Sequence, residues 1–286
     1  MIRKKWRRLG IIIFLIVFLY IENNWIQVTD YNLSIKELPS EFEGFSIVHI
    51  SDVHNKLFGK GQKRLVNVIE KQEPNIIVIT GDLIDRRRYN KANAIMLIEK
   101  LVDIAPVYYV TGNHEWWSGK YGELRVDIEN LGVNILSDDK IKINNNNKII
   151  NILGIDDPAK YYNEYSKPIN SYNKVIEKID MLLKDNKKED ITILLSHRPE
   201  LFEVYKQRNI DLILCGHAHG GQIRLPFIGG IIAPNQGLFP KYDGGKYNYN
   251  DVNMIVNRGL GNSIAPIRIF NKPEVGVITL SKNKAK

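Results

Sequence analysis

Along the chain, five short apolar runs each stop at a turn crowded with polar side chains. SIVHI leads into Ser51, Asp52, Val53 and His54; IIVIT into Gly81, Asp82, Leu83, Ile84 and Asp85; VYYVT into Gly112, Asn113, His114 and Glu115; ITILL into Ser196 and His197; and DLILC into Gly216, His217, Ala218 and His219. Segments of helical period lie between the runs, at 61–71, 90–104, 123–130, 170–185 and 199–207, and this alternation is the pattern of an α/β fold. In the fourth segment Val175, Ile179, Leu182 and Leu183 fall at i, i+4, i+7 and i+8, which makes one apolar face for packing on a sheet. Open α/β sheets bind ligands beyond the carboxyl ends of their strands, so the five turns are expected to converge on one rim. The asparagines at 144–147 mark a polar hairpin tip between 141–143 and 149–153, and apolar runs at 254–256 and 275–280 are expected to close the chain as a second sheet.

The amino end follows a different pattern. Residues 9–21 (LGIIIFLIVFLYI) form an uncharged apolar run directly behind Arg3, Lys4, Lys5, Arg7 and Arg8, the order of an export signal. The run is short of the roughly 20 residues that cross a bilayer, although Asn23, Asn24, Trp25 and Ile26 would extend it into the interface. No small-x-small cleavage site follows it, so an uncleaved signal anchor is expected, as a single-pass transmembrane helix with its basic end cytoplasmic. Residues 1–30 then form the anchor, and residues 31–286 form one extracytoplasmic domain at the cell membrane.

Charge and cysteine content narrow the chemistry. The formal net charge is +8, but the basic residues at the amino end together with Lys282, Lys284 and Lys286 account for all of it, so the body of the chain is neutral. That removes the footprint of a phosphate-backbone binder, and no nucleic-acid partner is expected. The single cysteine, Cys215, allows neither an intramolecular disulfide nor a thiolate zinc cluster. Any metal must therefore bind through His, Asp, Asn or Glu. Five of the six histidines (His54, His114, His197, His217 and His219) sit in the strand-end turns. Imidazole and carboxylate together suit Zn, Fe, Mn or Ni, and a hydrolytic dinuclear centre is the leading idea. His49, inside an apolar run, reads as a satisfied core histidine.

The set Asp-x-His (Asp52, His54), Gly-Asp-x-x-Asp (Gly81, Asp82, Asp85), Gly-Asn-His-Glu (112–115), an isolated His197 and Gly-His-x-His (216–219) resembles the complete motif set of the calcineurin-like metallophosphoesterases, in that family's order. Gly220 to Pro226 and Arg258-Gly259-Leu260-Gly261 resemble its membrane-anchored bacterial branch of YkuE type, a phosphodiesterase branch. The resemblance implies a four-layer α-β-β-α sandwich and two divalent metal ions, Mn, Fe or Zn. Carried over by position, it implies one ion on Asp52, His54 and His219, the other on Asn113, His197 and His217, and Asp82 as the bridge. It further implies that His114, oriented by Asp85, acts as acid or charge stabiliser while metal-activated hydroxide attacks a phosphoester. A phosphodiester substrate is favoured, lipid- or envelope-linked, with a phosphomonoesterase as the alternative within the enzyme class. A scaffold that keeps the fold and binds cell-wall polymer or a partner would have lost ligands, and none is lost.

Arg198, Arg224, Arg258 and Arg268 are candidate phosphate binders, with Arg258 the one assigned to substrate. Residues 226–250, rich in Gly, Pro and aromatics, are expected to form an apolar wall beside the metals that accepts a lipid-like group. Oligomeric state has no signature in the chain.

Overall fold

The computed structural model describes residues 2–162, 169–187, 189–262 and 266–282, so Lys284 and Lys286 lie outside the described residues. Two six-stranded sheets stack face to face. The first takes its strands from β1 (Gln27–Ile35), β2 (Ser46–Ile50), β3 (Ile76–Thr80), β4 (Val107–Val110) and β5 (Asn134–Ile135). The second takes β6 (Asp139–Asn145), β7 (Lys148–Gly154), β8 (Ile191–Leu195) and β9 (Leu212–Cys215). Two small ribbons follow, β10 (Arg224–Leu225) with β11 (Gly229–Gly230) and β12 (Ile232–Ala233) with β13 (Gly237–Leu238). The last strands are β14 (Gly245–Tyr249), β15 (Val252–Val256) and β16 (Glu274–Lys282).

Strand order corrects one expectation. The closing strands do not pair with each other to form a second sheet: β15 joins the second sheet parallel to β9, while β16 enters the first between β1 and β2. The first sheet runs β1-β16-β2-β3-β4-β5 and the second β14-β15-β9-β8-β7-β6. The hairpin at 144–147 forms as expected, with Asn145 opposite Lys148.

Apolar side chains fill three interlayers. Leu33, Phe42, Val78, Ile152, Leu195 and Leu214 belong to the layer between the sheets. Leu65, Leu97, Ile98 and Leu124 come from α2 (Lys63–Glu70), α3 (Lys91–Val102) and α5 (Tyr121–Asn130) and cover the outer face of the first sheet. Val175, Ile179 and Leu182 of α6 (Ile169–Leu183) pack with Phe202 and Tyr205 of α7 (Phe202–Tyr205) on the second. The apolar face read from the spacing of α6 is thus the one it buries, and the layers stack α-β-β-α. The remaining helix, α4 (Asn113–Trp117), opens directly from a candidate site turn.

The amino-terminal helix is present as α1 (Ile2–Asn24), but among the described residues no helix is long and apolar enough to cross a membrane. The expected transmembrane span is not found, and the reason lies in where the charges fall. The basic cluster is part of the helix rather than a leader before it, which leaves residues 9–21 as the apolar stretch. At about 1.5 Å per residue that stretch is about 20 Å long, against about 30 Å of hydrocarbon.

Candidate metal centre

The five polar turns close onto one rim because β2, β3 and β4 lie side by side and parallel in the first sheet, as do β8 and β9 in the second. The chain reverses sharply there. Asp52, His54, Asp82, His217 and His219 all have positive φ, between 48° and 65°, a region that costs a non-glycine residue about 1 kcal/mol or more. Backbone ties hold the strain in place: Asp52 N–H donates to Gly81 O at 3.1 Å, and His54 N–H to Asp82 O at 3.0 Å. Two glycines leave room for the carboxylates. A Cβ on Gly112 would fall 2.2 Å from Asp82 Oδ1, and one on Gly216 would fall 2.5 Å from Asp52 Oδ2.

Ligand-type atoms gather in three groups: Asp52, His54, Asp82 and His219; Asp82, His197 and His217; and His54, Asp85 and His114, within each of which these atoms lie inside 4.8 Å of one another. Asp82 belongs to both of the first two. Its Oδ2 lies 3.6 Å from His54 Nε2 and 3.4 Å from His197 Nε2, while its Oδ1 accepts the backbone N–H of His114 at 2.8 Å. A single oxygen therefore faces both groups, not the two that a carboxylate can share. His54 Nε2 and His219 Nε2 approach to 3.1 Å, as do His217 Nδ1 and His197 Nε2. Asp52 Oδ1 and Asn113 Oδ1 are buried with no hydrogen-bond partner among the described residues. Converging ring nitrogens and orphaned carbonyl-type oxygens are costly in a dry pocket unless a cation takes their lone pairs, so the donor set fits metal ions.

The chain matches the sequence profile of the calcineurin-like phosphoesterases over residues 45–221. It is 30% identical to the metallophosphoesterase YkuE of Bacillus subtilis (strain 168) over 91% of this chain and 87% of that one. The chain belongs to the calcineurin-like metallophosphoesterase family. It is also 26% identical to a Danio rerio protein named as a transmembrane protein with metallophosphoesterase domain, over 90% of this chain and 57% of that one. Among solved structures, a Thermus thermophilus protein, TT1561, shares the fold, with a TM-score of 0.51 at 12% identity over 76% of this chain and 90% of that chain. The protein is accordingly a hydrolase acting on phosphoester bonds, of a family that depends on two metal ions, with a cluster of Asp and His able to hold metal.

Electrostatics within this metallophosphoesterase centre follow from burial. Burial keeps His54 and His217 well below the ordinary histidine range and brings His219 to about 3, so these rings are neutral donors. At His197 burial also acts downward, but Asp82 and Asp52 outweigh it and push the ring up to about 10. Asp52 is raised to about 6 by burial against the pull of His197. Burial acts upward on Asp82 too, but His197 and His114 hold it well below the usual carboxylate range.

Supporting residues stand behind these ligands. Glu115 is fully buried, and its Oε2 accepts N–H groups from Gly112 at 2.7 Å and Asp82 at 2.8 Å while Oε1 accepts that of Ile84 at 3.2 Å, so one carboxylate clamps two site turns. Burial and neighbouring Asp82 raise it to about 8. Asn235 Oδ1 lies 3.1 Å from His217 Nε2 and accepts from Arg198 Nη1 at 2.8 Å. Nothing in its surrounding loop signalled a partner for a histidine. His49 is buried as expected, with Nε2 2.8 Å from Thr80 Oγ1, but it is satisfied on one side only, since its Nδ1 has no partner among the described residues.

The four candidate arginines all have partners within the protein. Arg258 meets Glu274 Oε1 at 3.2 Å and Thr29 rather than the site groups. Arg198 is buried on Asp157, Arg224 pairs with Asp243 at 2.9 Å, and Arg268 donates to the carbonyls of Gly261 and Arg258. All four are occupied inside the fold. In the segment expected to form an apolar wall, Phe227, Leu238 and Phe239 are exposed, and the segment meets the site through polar Asn235.

Proposed function

We propose that this metallophosphoesterase cleaves a phosphodiester, lipid- or envelope-linked, at a membrane and outside the cytoplasm. The observation that carries the reading is that Asp82 Oδ2 faces both histidine groups, while Asn113 Oδ1, in the turn after β4, is buried with no partner among the described residues. Asp52, His54 and His219 would hold one divalent ion and Asn113, His197 and His217 the other, with Asp82 shared. When bound, two such ions, Mn, Fe or Zn, supply the Lewis acidity that lowers the pKa of water and neutralises phosphoryl oxygens.

His114 Nδ1 accepts the backbone N–H of Arg86 at 3.1 Å, which leaves its proton on Nε2. Burial lowers the pKa of the ring despite Asp82 and Asp85, so His114 serves as a neutral donor that stabilises charge on the leaving or phosphoryl oxygen. Asp85 is engaged by the N–H groups of Arg87 at 2.8 Å and Arg88 at 3.0 Å, and it acts on His114 through its charge. The occupied arginines favour a diester. A monoester dianion asks for more positive charge than a monoanionic diester does, and the guanidinium groups that would have supplied it are spent on internal carboxylates and carbonyls. Membrane location rests on the apolar stretch of α1 and on the name carried by the Danio rerio relative.

The test is hydrolysis of an activated aryl phosphodiester and the matching monoester, with and without added Mn. Diester turnover should exceed monoester turnover and require metal, and His114→Ala should reduce it by about 10²-fold or more while metal content is unchanged. A folded, metal-loaded protein that turns over neither ester would sink the reading.

A further inference from the structure

Two exposed apolar features meet at the rim of the metal centre. The first is α1. Between residues 9 and 17 its side chains are exposed all round, and only its last turns touch the body. Phe18 packs edge-on against Phe270 at 5.4 Å, buried Glu22 accepts the N–H of Asn271 at 2.9 Å, and Asn23 Oδ1 accepts that of Arg268 at 2.9 Å. Asn271 passes the connection on by donating from Nδ2 to His219 O at 2.7 Å. The helix is thus seated one side chain away from a metal-site turn.

The second feature is the pair of ribbons at 223–239. Phe227 is fully exposed, and Ile228, Leu238 and Phe239 are each at least 60% exposed. These tips are tied to the seat of α1 by backbone bonds: Arg224 N–H to Ile269 O at 3.0 Å, Ile231 N–H to Ile223 O at 2.8 Å, and Phe239 N–H to Ile231 O at 2.8 Å. The same segment reaches the centre through Asn235 at His217. Helix, tips and Phe270 thus present exposed apolar surface from segments that are bonded to one another and to the site turns.

We infer that this surface docks the protein monotopically on an anionic lipid bilayer, with α1 and the aromatic ribbon tips entering one leaflet. Three observations select that occupant. An apolar helix exposed on every side needs a medium that surrounds it, whereas a protein groove covers one face. Its apolar stretch, about 20 Å long, falls short of the roughly 30 Å of two leaflets, so the helix lies along one leaflet instead of crossing the bilayer. Lys4, Lys5, Arg7 and Arg8, all exposed, lie beyond that stretch at the far end of the same helix, where long basic side chains reach back to anionic headgroups. The docking face stands on these observations alone; only its purpose, bringing a lipid phosphoester to the metals, rests on the hydrolase reading.

The experiment uses the full chain and vesicles of phosphatidylcholine with and without phosphatidylglycerol. A nitroxide is placed in turn at Phe227→Cys, Phe239→Cys and, as a control on α5, Val126→Cys; Cys215 is buried and out of reach of the label. The protein should float with the phosphatidylglycerol vesicles, with the labels at 227 and 239 accessible to oxygen and shielded from an aqueous nickel chelate, and the label at 126 in water. Combined Phe227→Ser, Leu238→Ser and Phe239→Ser should weaken vesicle binding about tenfold or more and leave hydrolysis of a soluble aryl diester unchanged. Vesicle-bound protein with labels 227 and 239 still open to the chelate would overturn the proposal, as would undiminished binding of the triple variant, equal binding to neutral vesicles, or no binding. Soluble-ester hydrolysis reports separately on the proposed function, so either reading can fail without the other.

Discussion

In one half of the metal centre the histidine rings are held from behind. His197 donates Nδ1–H to Thr80 O at 2.7 Å, and His217 Nε2 faces Asn235 Oδ1 at 3.1 Å, an oxygen that also accepts from Arg198 Nη1 at 2.8 Å. In the other half, the Nδ1 atoms of His54 and His219 are buried with no partner among the described residues. Both halves are built from strand-end turns and share Asp82, and they differ in what stands behind the ligands. A ring fixed by a second hydrogen bond keeps its tautomer and aim through ion exchange, and such partners are worth about 10- to 100-fold in metal affinity. Once His197 has given up its proton, the half containing it should therefore hold its ion more tightly, and a chelator should then strip the half containing His54 first.

The largest effect is expected where the halves join. Asp82→Asn weakens the one oxygen that faces both groups, at 3.6 Å and 3.4 Å from the two Nε2 atoms. Both ions should weaken together and kcat/KM should fall about 10³-fold or more, since charge stabilisation of several kcal/mol depends on them. Metal content measured beside circular dichroism separates this from misfolding. A folded variant retaining two ions would show that the halves do not share a ligand.

Asn235→Ala sharpens the contrast within the pair. With a cation at Nδ1, the proton of His217 sits on Nε2 and needs an acceptor, which Asn235 Oδ1 supplies. Its loss should weaken the ion of the His197 half about 10-fold, leave the other unchanged, and lower activity only when metal is limiting. Equal weakening of both ions would mean that the loop supports the centre as a whole.

These supporting contacts mark where legibility ended. Asp52, His54, Asp82, Asn113, His114, His197, His217 and His219 were readable because each sits in a polar turn after an apolar strand, and local sequence shows both the residue and its position. Val175 and Ile179 were readable because helical spacing encodes a buried face. Asn235 and Arg258 were not, because their partners are distant in the chain and are chosen by the packing of the sheets. The same holds for β15 and β16, whose strand character was plain but whose neighbours were not: register partners such as Gly276 and His49 are set by long-range pairing. At α1 the apolar run and its shortness were legible, and what misled was its extension through residues 23–26, where the helix ends and Asn23 instead accepts the N–H of Arg268.

The last effect is one of pH, modest per unit near neutrality, and it also separates the halves. In the apoprotein, Asp82 and Asp52 keep a proton on His197 up to about pH 10, against the opposing effect of burial. An ion entering that half must displace the proton, so its apparent affinity should rise with pH, by up to about tenfold per unit, until His197 is neutral near pH 10. In the other half His219, at about 3, and His54 are neutral across that range and impose no such slope. The competing proton there belongs to Asp52, raised to about 6 by burial, so affinity should fall only as pH drops through about 6. Calorimetric titration of the apoprotein in buffers of different ionisation enthalpy counts the protons released by each ion. Near neutral pH, release of about one proton on filling one half and almost none on filling the other is the expected result. Equal release from both would mean that Asp82 and Asp52 share their proton with the rings on either side, and that the hydrogen bond from His197 to Thr80 does not fix where it resides.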